Sequence, residues 1–306
     1  MRERQLDCLG RTDHACRHPL LDNDQVTVHT DSGSNALRMR PGIGATAGVV
    51  QHSELRFSRL AIDQPTVIVV HHGSKTLHAE GREWQVGAGD AIAIAGGATL
   101  DVTNRLGGNG RYEARWLILD AKLVQRAERQ LPRINKSNAI DGASTIRGLE
   151  PEFCAALARA FDAITAPLPD PIAQHRLAEV LAWLSLRGLR FPPMQAPSLA
   201  TRVRRLFEPA PTERWTTALA ARQLAMGEAT LRRRLATEDT TVGTLLADVR
   251  MTSALLLLHS TGLPVNRIAL DVGYESASRF AIRFRARFGC APSAIRTRRM
   301  EAANIT

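Results

Sequence analysis

Apolar positions in residues 41–120 fall in short runs that alternate with polar residues or stay apolar throughout. "TVIVVHHG" (Thr66–Gly73), "TLHAEG" (Thr76–Gly81), "REWQVGAGD" (Arg82–Asp90), "AIAIAGG" (Ala91–Gly97) and "RWLILD" (Arg115–Asp120) are such runs, with glycine-rich turns between them. Short strands at about 8–12-residue spacing predict a β-barrel or sandwich. Residues 1–40 are polar and show no clear period. From Pro151 the period changes. Phe153, Ala156, Leu157, Ala160, Phe161 and Ile164 recur at helical spacing. "PIAQHRLAEVLAWLSLRGLRF" continues the pattern after a break at Pro167, Pro169 and Pro171. A helical pair over 151–191 is expected. "FPPMQAPS" (Phe191–Ser198) carries three prolines and cannot be helix interior, so a stiff linker and a domain boundary are predicted over 192–198.

Past the linker the helical period returns twice in the same form. In "WTTALAARQLAMGEATLRRRL" (Trp215–Leu235), Leu219, Ala220, Ala221, Leu224 and Ala225 give one helix. Met226–Gly227 breaks it, and Leu231 and Leu235 mark the inward face of a second. In "NRIALDVGYESASRFAIRFRARFG" (Asn266–Gly289), Ile268, Ala269 and Val272 face inward on a short helix. Gly273 ends that helix, because a left-handed residue is least costly as glycine. Ser276 or Ser278 can cap the next one. Phe280, Phe284 and Phe288 form a stripe four residues apart that reads as core. Each segment is a short helix, a tight turn and a longer helix, with a small alanine (Ala221, Ala269) before the turn where the helices cross. This is the helix-turn-helix pattern, whose second helix enters the major groove of DNA. The outward faces hold Glu228, Thr230, Arg232 and Arg234, with Arg233 to one side, and Glu275, Ser276, Ser278, Arg279, Ala281, Arg283 and Arg285. Val242–His259 predicts one spacer helix, about 27 Å long, with Leu245, Leu246, Val249, Leu256 and Leu257 inward. Such a spacer suits two reading heads about one DNA turn, roughly 34 Å, apart.

Charge sharpens this picture. The 306 residues include 40 basic and 30 acidic side chains, and all the basic ones except Lys75, Lys122 and Lys136 are arginine. Residues 198–306 hold 17 arginines, no lysine and 9 acidic residues, so most of the positive excess sits in the last third. A basic terminal domain on a nearly neutral body points to a polyanion partner.

On these residues, 199–299 resembles the AraC/XylS family of bacterial transcription regulators. The carriers are "LAMGEATLRRRL", Arg250, Ala254 and Leu257 on the spacer, and the closing "IALDVGYESASRFAIRFRARFGCAPSAIR". The chain departs from the family at Gly227, usually serine, and at Ile295, often aromatic; Gly227 weakens the cap of the first recognition helix. The resemblance implies base reading by Glu228, Ala229, Thr230 and Arg232 in the first unit and by Glu275, Ser276, Ser278 and Arg279 in the second. It assigns phosphate contacts to Arg233 and Arg283. Double-stranded DNA and RNA polymerase are the implied partners, activation is the implied sign, and the cytoplasm is the expected location. Families of this kind commonly place a sensory or dimerising domain ahead of the DNA-binding one.

"GDAIAIAGGATLDVTN" (Gly89–Asn104) resembles the second cupin motif at Gly89, Gly97 and Asn104, but its proline is Ala95 and its metal-binding histidine is Leu100. The first motif's histidine pair would fall near Leu60–Ile62. His52, His71, His72 and His78 remain, and adjacent His71 and His72 on a strand point to opposite faces. No metal, cofactor or catalytic residue is therefore expected, and a cupin-type enzyme is the weakest reading. Cys8, Cys16, Cys154 and Cys290 are scattered; with His14 and His18, the first two match no standard zinc spacing. That also argues against a DNA-repair methyltransferase built on a four-cysteine zinc site, and reduced thiols are expected. The remaining readings of the N-terminal domain are a small effector in the barrel mouth, a protein partner, or dimerisation alone. Trp84, Trp116, Arg56, Arg82, Arg111 and Arg115 are candidate pocket residues, although packing is the simpler reading of both tryptophans. No apolar stretch of about 18 residues suggests a membrane span, and the N-terminus is too polar for a secretory signal. The expected architecture is α+β: a cupin-like β-barrel over 1–150 with flanking helices at 151–191, the linker, and an all-α domain over 199–306 with two helix-turn-helix motifs joined by a long helix. The helical pair either mediates a homodimer or covers the barrel.

Overall fold

The computed structural model describes residues 37–131, 138–193 and 196–295. Cys8, His14, Cys16 and His18 lie outside them, as does the chain beyond Ile295. The N-terminal part runs β1 (Arg38–Arg40), β2 (Gly44–Gln51), β3 (Leu55–Ile62), β4 (Thr66–His72), β5 (Ser74–Ala79), β6 (Arg82–Gly87), β7 (Ala91–Ile94), β8 (Ala98–Arg105) and β9 (Tyr112–Leu119). Then come α1 (Ala121–Gln130), β10 (Asn138–Ala139), β11 (Ala143–Ile146), α2 (Pro151–Thr165), α3 (Asp170–Leu186) and β12 (Leu189–Arg190). Two antiparallel sheets result, ordered β1-β2-β9-β4-β7-β11 and β3-β8-β5-β6, while β10 pairs with β12 in parallel.

The apolar runs of β4 and β7 explain the layering. Side chains of a strand alternate between its two faces. Ile68, Val70, Ile92 and Ile94 pack against Leu77, Val86, Leu100 and Val102 of the smaller sheet. The alternate residues Val67, Val69, Ala91 and Ala93 pack under the helices, against Val124, Phe153, Leu157, Ala160 and Leu177. A strand covered on both faces has no polar side to show, hence the unbroken runs. Phe153 stacks on Trp183 at 5.6 Å within this helical cover. Pro171 sits in the first turn of α3, where its missing N–H costs nothing.

β3 is the irregular strand. Its pairing with β8 shifts between Phe57 and Leu60, and Arg59 there takes φ 55. Asp101 Oδ1 accepts the Arg59 backbone N–H at 2.7 Å and so holds the bulge.

The C-terminal part is α4 (Leu199–Phe207), α5 (Thr217–Gln223), α6 (Glu228–Ala236), α7 (Val242–Ser260), α8 (Val265–Asp271) and α9 (Ala277–Phe288). It has two cores that share α7. Val203, Phe207, Ala220, Leu231 and Leu235 pack on Leu245 and Val249; Ile268, Val272, Phe280 and Phe284 pack on Ala254 and Leu258. The 19 residues of α7 span about 28 Å.

Two details correct the sequence reading. Ala225 is not helical: α5 stops at Gln223, and Ala225 takes φ 52 while the Met226 N–H reaches back to the Ala221 carbonyl at 2.9 Å. That back-bond closes the helix end and consumes the orphan carbonyl. Leu256, read as inward, is 50% exposed. The inward line of α7 runs through Met251, Ala254 and Leu258 at spacings of three and four, which leaves Leu256 on another side.

Candidate nucleic-acid interface and effector cavity

The two helix-turn-helix units close in the same way. In the second, Gly273 takes φ 86 and the Tyr274 N–H reaches back to the Ala269 carbonyl at 2.8 Å, as Met226 does to Ala221. Ala221, Leu231, Leu235, Ala269, Phe280, Phe284 and Phe288 are all buried. Ser276 caps α9, its side chain accepting from the Arg279 backbone N–H. Gly227 heads α6 with no side-chain cap.

The remaining faces are open. Glu228, Ala229, Arg232 and Arg233 are exposed on α6 and Thr230 is half-buried; Glu275, Ser278, Arg279 and Arg283 are exposed around the start of α9. Glu228 pairs with Arg232 one turn on. Glu275 pairs with Arg214 at 3.4 Å, so a residue ahead of the first unit reaches the second. Two residues here have roles that the sequence does not show. One is Ile282, 70% exposed on α9. The other is Arg250 of α7, which donates to the carbonyls of Pro211 (2.8 Å) and Glu213 (3.2 Å) and lies over the Tyr274 ring at 5.9 Å. A Cβ at Gly273 would stand 2.8 Å from the Arg250 guanidinium, so this turn needs glycine for space as well as for φ. Arg250 stood out in the sequence, but its role depends on a loop whose path no periodicity reveals.

A cavity of about 340 Å³ lies between the sheets and the helical domain. Val49, Phe57, Leu60 and Trp116 line it from one side, and Leu255, Leu256 and Phe288 from the other. Lys75 also lines it, at 1% exposure. Its Nζ donates to Asn104 Oδ1 at 2.6 Å, and Asn104 Nδ2 donates to Gln51 Oε1 at 2.9 Å. The rings of Tyr112 and Trp116 stand 5.3 and 5.4 Å from Nζ. Burial pushes the Lys75 ammonium down to about 7. Trp116 Nε1 is buried without a hydrogen-bond partner.

Of the pocket residues named from sequence, Trp116 reaches this cavity and the arginines do not. Arg82 pairs with Asp141, Arg111 with Glu113, Arg115 covers the Phe161 ring under the helices, and Arg56 is exposed. Trp84 lines a separate cleft beside Gly142. Lys75 was overlooked, although alternation along β5 puts it on the face of buried Leu77. Among the described residues, no group of three His, Cys, Asp or Glu side chains could hold a metal ion.

The β3 bulge ties the two parts together. Phe57 meets Phe288 edge-on at 5.6 Å. The Arg59 guanidinium donates to the Asp239 carbonyl at 3.0 Å, in the turn after α6, while Arg287 of α9 donates to the Arg59 carbonyl at 3.5 Å. Arg287 also pairs with Asp248 at 3.4 Å, with both side chains largely buried. One strained residue thus touches both helix-turn-helix units.

A two-sheet domain bordering a partly open apolar cavity, followed by two helix-turn-helix units on one shared helix, defines the architecture of a DNA-binding regulator with a ligand-binding domain. The family profile described as AraC-like ligand binding domain matches residues 45–182, and the one described as helix-turn-helix domain matches 220–298. The chain belongs to the AraC/XylS family. It is 34% identical over 97 residues to the HTH-type transcriptional regulator GadX of Escherichia coli (strain K12), covering 32% of this chain and 35% of GadX. It is 35% identical over 91 residues to the HTH-type transcriptional activator CsvR of Escherichia coli, covering 30% and 34%. The chain thus spans about a third of the length of these curated relatives. Among solved structures, ToxT from Vibrio cholerae strain SCE256, with an unsaturated fatty acid bound, superposes with a TM-score of 0.60 over 81% of this chain and 93% of ToxT. At 14% identity that likeness is one of fold.

Proposed function

We propose that the protein is a sequence-specific DNA-binding transcription regulator, not an enzyme, that works in the cytoplasm and is controlled by a small effector bound in the interdomain cavity. The observation that carries the DNA-binding part is the pair of exposed, arginine-bearing helices, α6 and α9, both packed on the single helix α7. Glu228, Ala229, Thr230 and Arg232, and Glu275, Ser276, Ser278 and Arg279, are the proposed base-reading positions; Arg233 and Arg283 meet phosphates. Activation through RNA polymerase is the proposed sign, supported by the name of CsvR. A homodimer is proposed on the commonness of two-fold pairs. Selection of sheared genomic DNA on the full-length protein tests the reading, at about 150 mM salt to suppress non-specific phosphate binding. Enrichment of a motif with two half-elements about one turn apart is expected. Absence of any discrete motif, with and without effector, would sink it. On that motif, Arg279→Ala is expected to relax one base position by about 1–3 kcal/mol, read as a changed binding logo.

The effector is proposed to be an apolar molecule with an acidic head group. The walls of the cavity are apolar, and Lys75 offers a buried cation whose hydrogen-bond partner is an amide rather than a carboxylate. The fatty acid bound by ToxT is of this kind. Lys75→Met is expected to weaken a long-chain fatty acid about tenfold or more, the cost of losing one charge-assisted contact. Equilibrium dialysis measures it, and equal affinity in both proteins would remove Lys75 from the site.

A further inference from the structure

Single exposed aliphatic residues are ordinary on protein surfaces, so exposure alone assigns Ile282 nothing. Its position does. Ser276 caps α9, which places Ser278 and Arg279 in the first turn. Ile282 follows them by four and three residues, so all three share one face, opposite the buried Phe280, Phe284 and Phe288. It shares with Ser276, Arg279 and Arg283 the cleft that α7 and the loop ahead of α5 form with the second helix-turn-helix unit. On a face otherwise built from hydroxyls and guanidinium groups, Ile282 is the bulky group that can make only apolar contact. In the major groove the one apolar feature of a base edge is the C5-methyl of thymine.

Resting on the DNA-binding reading above, we propose that Ile282 is a specificity-determining residue that selects thymine, through its methyl group, at one or two positions beside the base read by Arg279. Thymine and uracil present the same hydrogen-bonding edge and differ by that methyl, so substituting one for the other isolates the contact. Burying one methyl is worth about a fourfold change in affinity.

The test uses the full-length protein and the operator recovered by genomic selection. Each thymine of the operator is replaced singly by uracil, and affinity is measured by fluorescence anisotropy. The expected result is a loss of about fourfold at one or two positions for the unaltered protein, absent in Ile282→Ala and retained in Arg279→Ala. Uracil without effect at every position would overturn the proposal while leaving the DNA-binding reading intact. A penalty that persists in Ile282→Ala would overturn it too. So would unchanged DNA affinity with lost promoter activation in both Ile282→Ala and Leu270→Ala, since exposed Leu270 lines the same cleft and that pattern marks a protein contact. Failure to recover any discrete operator would remove both readings together. The uracil series on the unaltered protein needs no variant, so a null result there overturns the proposal even where a substitution disturbs folding.

Discussion

Lys75→Met is expected to make the unliganded protein more stable at pH 7 and less stable at pH 10. In the folded state burial holds the Lys75 ammonium at about 7, against 10.5 when exposed. Between those values the unfolded chain binds a proton that the folded chain does not. Stability therefore rises with pH across this window, by about 1.4 kcal/mol per unit from this group. Below pH 7 both states are protonated and the slope vanishes. Keeping the amine buried at pH 7 thus costs on the order of 4–5 kcal/mol. Methionine removes that cost with an unbranched side chain one heavy atom shorter. It also leaves Asn104 Oδ1 without its donor, a loss of about 1–3 kcal/mol. The net gain at pH 7 is about 1–4 kcal/mol, and it reverses as the lysine neutralises in the unfolded chain. Urea unfolding of both proteins from pH 6 to pH 10 measures the difference, in which other titrating groups cancel. A difference independent of pH would mean that water reaches Lys75. The same charge logic gives the effector a role: an acid in the cavity supplies the missing counter-ion, so it stabilises the lysine form more than the methionine variant.

Much of this arrangement is legible in the sequence because it obeys short-range periods. The unbroken runs at Thr66–Val70 and Ala91–Ile94 announce strands covered on both faces. The repeated alanine-turn-helix pattern announces two helix-turn-helix units that close with the same back-bond. What could not be read depends on partners distant in sequence. Leu255 and Leu256 look like core in a run of four leucines, yet they turn to a cavity whose opposite wall is the β-sheet. Of the arginines proposed as pocket residues, Arg82 and Arg111 pair with carboxylates, Arg115 covers a ring and Arg56 is exposed, whereas Lys75 needed only the alternation of β5 to be placed inside. The Arg59 bulge carries no local signal at all: neither glycine nor asparagine marks its left-handed residue. Its conformation is imposed by Asp101, Asp239 and Arg287, three contacts from three different elements.

Gly273→Ala is expected to cost about 3 kcal/mol and to disable the second reading head, because two independent requirements meet at this turn. The first is conformational. At φ 86 a side chain strains the backbone by about 1–2 kcal/mol. The second is steric, and it concerns Arg250. The added methyl would stand 2.8 Å from a guanidinium that is not free to swing aside, since it is fixed by the carbonyls of Pro211 and Glu213 and by the Tyr274 ring. Moving it forfeits charge-assisted bonds worth about 1.5–3 kcal/mol. Those bonds also tether the loop ahead of α5 to α7, so the damage should spread from the second unit to the first. A double-mutant cycle separates the two terms. Arg250→Ala alone loses the tether; with the guanidinium gone, Gly273→Ala should cost only its backbone strain, and the pair should fall short of additivity by at least about 1 kcal/mol. Full additivity would show that the methyl never meets Arg250. Operator affinity should follow stability in each variant, since α9 can present Arg279 and Ile282 to a groove only while Gly273 turns the chain into it.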